Sequence, residues 1–220
     1  MHDLGIIHGS IRGVRSRLPG RYSARRSPDS QTSILIDNNG RACLAGFGPL
    51  TLASDQSAIT PSRTDGGTIR WMSPELIDPG TFGLKETRPT KESDCYALGM
   101  VIYEVLSGRT PFAPCNVVAV ISKVLRGERP NRPQGWEAPS LTDNIWEMLE
   151  LCWKPSPRDR ISAKDVLRGL GVTSPPPEWT SNMDGVAEAD TNNPPYATAS
   201  EFGMFYLFIL CSSLIILAVR

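Results

Sequence analysis

The strongest pattern in the chain is a stretch, residues 93–106, that is apolar on nearly every side of a helix. A helix without a polar face belongs at the centre of a domain, so we predict a buried central helix here. Gly108 follows it in a position suited to a left-handed C-terminal cap. The large side chains of this stretch are Tyr96, Leu98, Met100, Val101, Ile102, Tyr103 and Val105.

Shorter helices are predicted on both sides of it. Pro74–Ile77 is expected to form a short helix, and Val117–Leu125 and residues 141–153 space their apolar side chains three or four apart. A last helix is expected to begin at Ser162, because Asp165 gives it the spacing of a capping box. The predicted fold class is therefore mainly α, in an α+β arrangement.

Two short apolar runs near the start of the chain predict a β-hairpin. Residues 33–37 and 41–45 are joined through Asn38-Asn39-Gly40. An Asn-Gly pair tolerates the positive φ angles of a tight turn. We expect one hairpin before the helices.

Residues 15–32 interrupt this part of the chain with five arginines, one aspartate and no apolar periodicity. Such a composition buries too little apolar surface to order itself, which predicts a disordered insert. A basic docking patch and a retained intron are the alternatives.

The 23 basic and 23 acidic residues of the whole chain cancel, so we expect no nucleic-acid partner.

The C-terminal part changes character twice. Residues 171–201 contain three consecutive prolines, many small polar residues and no Lys or Arg, which is typical of a disordered linker. Residues 202–219 are uncharged and mostly apolar, close to the minimum length of a transmembrane helix. A membrane anchor is the interpretation we favour, and a buried helix is the alternative.

The five cysteines are scattered along the chain without a C-x-x-C pair. Their spacing argues against a disulfide framework and against a zinc site, and no metal is expected. Free cysteines are typical of a reducing cytosol, so we expect a cytoplasmic lobe.

Five motifs then occur in a recognisable order. They are residues 1–9, which end in His8-Gly9, the hairpin with the turn that follows it at 33–48, Trp71-Met72-Ser73-Pro74-Glu75, residues 93–104, and Cys152-Trp153 with Pro157 and Arg160. Together they resemble the catalytic loop, the metal-binding turn, the A-P-E signature, the central helix and the closing pattern of protein kinases. The amino-acid sequence of residues 68–72 is most similar to the corresponding segment of tyrosine-kinase-like Ser/Thr kinases. The resemblance implies a kinase C-terminal lobe over residues 1–170.

The catalytic-loop motif departs from what kinase chemistry needs. In the family an aspartate of H-x-D accepts or orients the proton of the substrate hydroxyl, and here the motif is His8-Gly9-Ser10. Arg12 stands at the lysine position. Ser33, beyond the insert, stands where the family has the asparagine that holds the second metal.

The metal-binding turn departs as well. The family's D-F-G becomes Gly46-Phe47-Gly48, which lacks the aspartate that holds magnesium. The glycine-rich loop, the strand lysine and the helix glutamate of the N-terminal lobe have no counterpart, because residue 1 lies just before the catalytic loop. ATP and Mg²⁺ are the family's cofactors, and we expect none for this chain.

Residues with structural roles in the family are retained. The resemblance implies a buried ion pair between Glu75 and Arg160, and a backbone-organising role for His8. It also places Asp94 where it hydrogen-bonds to amides of the catalytic loop, although an ordinary helix N-cap at Ser93 or Asp94 is the alternative.

These observations predict an inactive, pseudokinase-like fragment, truncated at its N-terminus, that acts by binding proteins. The surface around Val117–Leu125 is the expected contact region, because in kinases it meets substrates and regulators. The alternative is an ATP-dependent Ser/Thr kinase whose gene model is truncated and mis-spliced.

Overall fold

Short strands come first along the chain and helices follow. The computed structural model describes residues 2, 6–16, 33–36, 42–44, 51–52 and 68–171. The strands in this part are β1 (Ile6–Ile7), β2 (Val14–Ser16), β3 (Ile34–Ile36), β4 (Ala42–Leu44) and β5 (Thr51–Leu52). The helices are α1 (Pro74–Ile77), α2 (Lys91–Ser107), α3 (Val117–Leu125), α4 (Asp143–Cys152) and α5 (Ala163–Gly169), with turns of 3-10 helix at Ile69–Trp71, Gly80–Phe82 and Pro157–Asp159.

Helix α2 is the centre of this lobe. All of its residues from 93 to 104 are buried, and so is Leu106, because other elements pack against every side of the helix. The helix ends at Gly108, whose φ of 64° is the left-handed cap predicted from the sequence. The prediction of a mainly helical fold with a buried central helix is confirmed.

The N-terminal cap of α2 differs from the sequence-based alternatives. Thr90 is the cap residue, and its hydroxyl accepts from the Ser93 N–H at 3.1 Å. The Ser93 hydroxyl in turn accepts from the Thr90 N–H at 2.9 Å, which completes a capping box. Neither Ser93 nor Asp94 is therefore the N-cap, and the Asp94 carboxylate is left for contacts outside its own helix.

The predicted hairpin is present. Strands β3 and β4 pair antiparallel, with Ile34 opposite Leu44 and Ile36 opposite Ala42. Strand β2 pairs with the other edge of β3 in parallel, which gives the sheet order β2-β3-β4. Strands β1 and β5 form a separate antiparallel pair.

Strand β2 corrects the predicted start of the insert. Arg15 and Ser16 lie in β2, opposite Leu35 and Ile36 of β3, so these two residues are ordered by a strand ladder. The ladder pairs backbone groups of these residues. The side-chain composition of the insert does not predict this pairing. The rest of the predicted insert, residues 17–32, lies outside the described residues.

The remaining helices begin close to their predicted positions. Pro74–Ile77 and Val117–Leu125 have the predicted bounds, and α4 is capped by Thr142. Helix α5 is capped by Ser162, as predicted. Its capping differs in one detail, because Asp165 accepts from the Ser162 hydroxyl at 2.6 Å instead of reaching back to the backbone.

The predicted linker, from residue 172 onward, and the predicted membrane anchor at 202–219 lie outside the described residues. Within the part of the chain that the structure describes, no helix has the length and apolar character needed to cross a bilayer.

Helices α2 and α4 approach each other closely at Gly99. A Cβ atom placed on Gly99 would lie 2.7 Å from the Cβ of Cys152 and 2.7 Å from Nε1 of Trp153. Trp153 is fully buried and makes edge contacts with the rings of Tyr103, at 6.1 Å, and Trp146, at 5.8 Å. The tryptophan therefore has little room to move away from a larger residue.

We expect Gly99→Ala to destabilise the protein by about 1 to 2 kcal/mol, measured by urea denaturation. Overpacking costs roughly 1–3 kcal/mol and outweighs the gain of about 1 kcal/mol in helix propensity. Gly135→Ala is the matched control, because a Cβ at Gly135 meets nothing within 4 Å. Equal stability of the two variants would contradict the close packing of α2 on α4.

Candidate functional site

The loop of residues 8–13, called the 8–13 loop below, is fastened to α2 by one buried carboxylate. Asp94, which is 2% exposed, accepts from the His8 N–H at 2.8 Å and from the Gly9 N–H at 2.9 Å. Its Oδ2 atom also lies 3.1 Å from Nε2 of His2. Hydrogen bonds to a charged acceptor are stronger than neutral ones, so the carboxylate fixes the position of the loop.

The turn inside the 8–13 loop depends on Gly9. Its φ of 70° is left-handed, and a Cβ there would lie 2.9 Å from Cγ of Pro89. The next N–H, that of Ser10, donates to Nδ1 of the buried His8 at 3.2 Å. The His8 ring thus supports the backbone of the loop from within.

Ser33, which follows the insert, hydrogen-bonds to the backbone of Arg12, which precedes it. The Ser33 hydroxyl accepts from the Arg12 N–H at 2.7 Å and donates to the Arg12 carbonyl at 3.0 Å. The Ser33 N–H donates to the same carbonyl at 2.9 Å. Ser33 is 1% exposed, so its hydroxyl acts as a buried link between two backbone segments.

A small cleft lies beside Ser10. It has a volume of about 30 Å³ and is lined by Ser10, Thr68, Trp71, Ser73 and Asp94, among others. The guanidinium of Arg12 donates to the hydroxyl of Thr68. The structure therefore brings two of the predicted positions, Ser10 and Arg12, next to the segment that precedes α1.

The remaining predicted metal-turn residues, Gly46, Phe47 and Gly48, lie outside the described residues. No group of three or more His, Cys, Asp or Glu side chains suited to a metal ion occurs among the residues that are described.

Glu75 and Arg160 form a bidentate ion pair with two N–O distances of 2.7 Å. Glu75 lies on α1 and Arg160 follows the last 3-10 turn, and both side chains are almost fully buried. Arg160 also donates to the carbonyls of Lys154, Glu92 and Pro155 at 2.9 to 3.2 Å. The pair thus joins α1, the start of α2 and the chain after α4.

Two guanidinium groups lie over the ring of Tyr96 of α2. The Cζ atom of Arg160 is 5.1 Å from the centre of the ring and that of Arg129 is 5.4 Å from it. Burial raises the pKa of the Tyr96 hydroxyl to about 12, against the opposing effect of the two arginines. The ring therefore remains neutral and contacts the cations through its π face.

The surface around α3, which the sequence predicted as a contact region, carries exposed apolar side chains. Val118 is 75% exposed and Leu125 is 41% exposed. They are seven residues apart, so they share one face of the helix, with the half-buried Ile121 between them. At the C-terminal end, Lys123 and Arg126 both pair with Glu128.

Sequence reasoning missed three contacts of this region. Thr68 binds Arg12, His2 approaches Asp94, and Arg70 donates to the carbonyls of Pro111 and Cys115. Each joins residues more than 40 positions apart, and none belongs to a local spacing pattern. The capping box at Thr90 and Ser93 had a recognisable local signal, a hydroxyl residue at the N-cap and another at N3.

We expect Glu75→Gln to lower the free energy of unfolding by about 3–5 kcal/mol, because Arg160 would keep a buried charge without its anionic partner. Glu86→Gln is the matched control: the Glu86–Arg88 pair has the same 2.7 Å distance but is about half exposed, so the loss should stay below about 1 kcal/mol. Urea denaturation of both variants measures the difference, and similar losses would refute the assignment.

Comparison with known sequences gives consistent matches. A sequence model of the protein tyrosine and serine/threonine kinase family matches residues 30–170, so the 8–13 loop precedes the matched part. Serine/threonine-protein kinase PkaA of Streptomyces coelicolor is 33% identical over 174 residues, which is 79% of this chain and 26% of PkaA.

Two further relatives come from other organisms. Receptor-interacting serine/threonine-protein kinase 3 of Homo sapiens is 31% identical over 143 residues, 62% of this chain and 26% of its own length. Cytokinesis protein sepH of Emericella nidulans is 27% identical over 168 residues, 76% of this chain and 10% of its own length. The chain thus spans roughly a quarter or less of each of these curated relatives.

Proposed function

The chain belongs to the protein tyrosine and serine/threonine kinase family, and from this membership we propose that it is a pseudokinase-like member that acts by binding proteins. The observation that carries the proposal is Ser10, held in the anchored 8–13 loop where the family has its proton-accepting aspartate. A serine hydroxyl is uncharged at neutral pH and cannot replace that carboxylate.

The donor set at the other family positions does not suit Mg²⁺, which prefers anionic and neutral oxygen ligands in an octahedral arrangement. Position 46 is a glycine and offers no side-chain oxygen. The Ser33 hydroxyl is engaged with both the N–H and the carbonyl of Arg12. ATP and Mg²⁺, the cofactors of the family, therefore have no matching ligands at these positions, and no catalytic step is assigned.

We expect neither nucleotide binding nor phosphoryl transfer from the full chain. Its melting temperature should not change at millimolar ATP, with or without Mg²⁺, because a ligand stabilises a protein only near or above its Kd. Incubation with labelled ATP and Mg²⁺ should leave the chain and a generic protein substrate unlabelled.

The controls for this measurement exclude contaminating kinases. An active kinase of the family serves as the positive control. A Ser10→Ala/Ser33→Ala variant is purified in parallel with the wild type. Magnesium-dependent labelling that the wild type shows and this variant lacks would overturn the proposal.

The binding function is assigned to the outer face of α3. Two observations support this assignment, namely the exposure of Val118 and Leu125 on one face and the pairing of the neighbouring charges among themselves. A helix face of this kind suits an apolar partner surface, because its charged neighbours need no new counter-ion. The contact would be with a protein, in the cytoplasm, and residues 202–219 remain a predicted anchor to a membrane.

We expect Val118→Asp to abolish recovery of cross-linked partners from cells that express the full chain, because the new charge would be desolvated on binding. Leu84→Asp is the matched control, since Leu84 is also exposed, at 46%, but lies outside α3. Quantitative mass spectrometry of the recovered proteins makes the comparison. A partner set that both variants retain would show that α3 is not the contact surface.

The names of the relatives support a second candidate, a protein Ser/Thr kinase in which this lobe is part of a longer protein. Sequencing of the transcript separates the two. An upstream glycine-rich loop and strand lysine, together with aspartates at positions 10 and 46, would favour the kinase.

A further inference from the structure

Arg70 joins the segment before α1 to the loop between α2 and α3. It lies in the 3-10 turn Ile69–Trp71. Its Nη1 atom donates to the Pro111 carbonyl at 2.9 Å and its Nη2 atom to the Cys115 carbonyl at 2.5 Å. A guanidinium can hold two carbonyls at once because its donors form a rigid planar fork, whereas a lysine ammonium is a single point charge.

One of the three residues between Pro111 and Cys115 has an unusual backbone conformation. Phe112 has a φ of 59°, which is uncommon for a residue with a side chain, and it is buried at 7% exposure. Such a conformation persists only where its surroundings hold it in place. Arg70 binds on both sides of Phe112, and the Cys115 N–H closes the turn on the Phe112 carbonyl at 2.8 Å.

Helix α3 begins directly after this turn. Asn116 is its N-cap, and the Asn116 side chain accepts from the Ala119 N–H at 2.9 Å. The position of the turn therefore sets where α3 starts and how it presents Val118 to solvent.

The same 3-10 turn also connects to the 8–13 loop. Thr68 accepts from the Arg12 guanidinium through its hydroxyl and from the Trp71 N–H through its carbonyl, the latter at 3.1 Å. Arg12 is in turn held by Ser33. Hydrogen bonds thus join Ser33 to Arg12, Arg12 to Thr68, and Arg70 to the residues before α3. Between Thr68 and Arg70 the connection is the backbone of the 3-10 turn.

We propose that Arg70 couples the 8–13 loop to the α3 surface, so that a displacement of the loop changes how α3 is held. The functional meaning of this coupling rests on the proposed binding role of α3. The coupling itself is a property of the lobe, and it can be tested without any partner. Arg70 is a positioning residue for the surface and does not itself touch the partner.

The cysteines provide the readout. Cys115 is half-buried within the turn, whereas Cys95 and Cys152 are buried in the core. Burial raises the pKa of the Cys95 thiol to about 12 and also raises that of Cys152, so both react slowly as long as the lobe is folded. Alkylation of the full chain, followed by peptide mass spectrometry, gives a separate rate for each cysteine.

We expect Arg70→Lys to increase the alkylation rate of Cys115 roughly tenfold, which is the size expected for losing a hydrogen bond to a charged donor. The rate at Cys152 should stay unchanged, which would show that the lobe remains folded. An unchanged rate at Cys115, or equal increases at both cysteines, would overturn the proposal.

A second variant tests the loop end and leaves Arg70 in place. Arg12→Met removes the contact with Thr68, so we expect faster alkylation of Cys115 with Cys152 still protected. In the Arg70→Lys background the same change should add little, because coupled sites are not additive. Full additivity, or no effect of Arg12→Met on Cys115, would restrict Arg70 to a local role and refute the coupling. Neither result depends on whether α3 binds a partner.

Discussion

The guanidinium of Arg160 is the group on which the rest of the lobe depends. It makes five hydrogen bonds, two to the Glu75 carboxylate and three to backbone carbonyls, and this equals the number of N–H donors that an arginine has. A buried charge is tolerated only when it is paired and its donors are satisfied. Because the partners come from α1, α2 and the chain after α4, all three must be in place before the charge can be buried.

A second buried charge, the Asp94 carboxylate, joins the N-terminal end of α2 to the 8–13 loop. Asp94 can bind the 8–13 loop because Thr90 and Ser93 have already capped the helix. Its location in the first turn is also electrostatically favourable, since the N-terminus of a helix carries partial positive charge. Helix α2 thus has an apolar surface that fills the core and one carboxylate that positions a distant loop.

The sequence was sufficient to predict those elements whose determining interactions are local. The bounds of α3 follow from the spacing of its valines and isoleucine, and the cap at Ser162 follows from a residue three positions away. The hairpin of β3 and β4 is equally local. The family resemblance added the pairing of Glu75 with Arg160, which no spacing rule contains.

Long-range contacts explain what the sequence did not predict. Strand β2 forms because Val14 lies opposite Ile34, twenty residues further on, and nothing in a Val-Arg-Ser tripeptide indicates a parallel ladder. The contact between Arg70 and the turn at Phe112 likewise needs the folded arrangement of two segments about 40 residues apart. Propensity describes short stretches of chain, whereas these contacts arise from the packing of several elements.

The 8–13 loop is held through its backbone, so its shape does not depend on the side chain at position 10. Asp94 binds the amides of His8 and Gly9, and His8 binds the amide of Ser10. These contacts use the backbone N–H of position 10, which every residue except proline provides. These three contacts themselves place no requirement on the side chain at position 10, except that it is not proline. The shape of the loop therefore depends on backbone atoms, whereas any chemistry at position 10 would depend on its side chain, so the two properties rest on different atoms of the same loop.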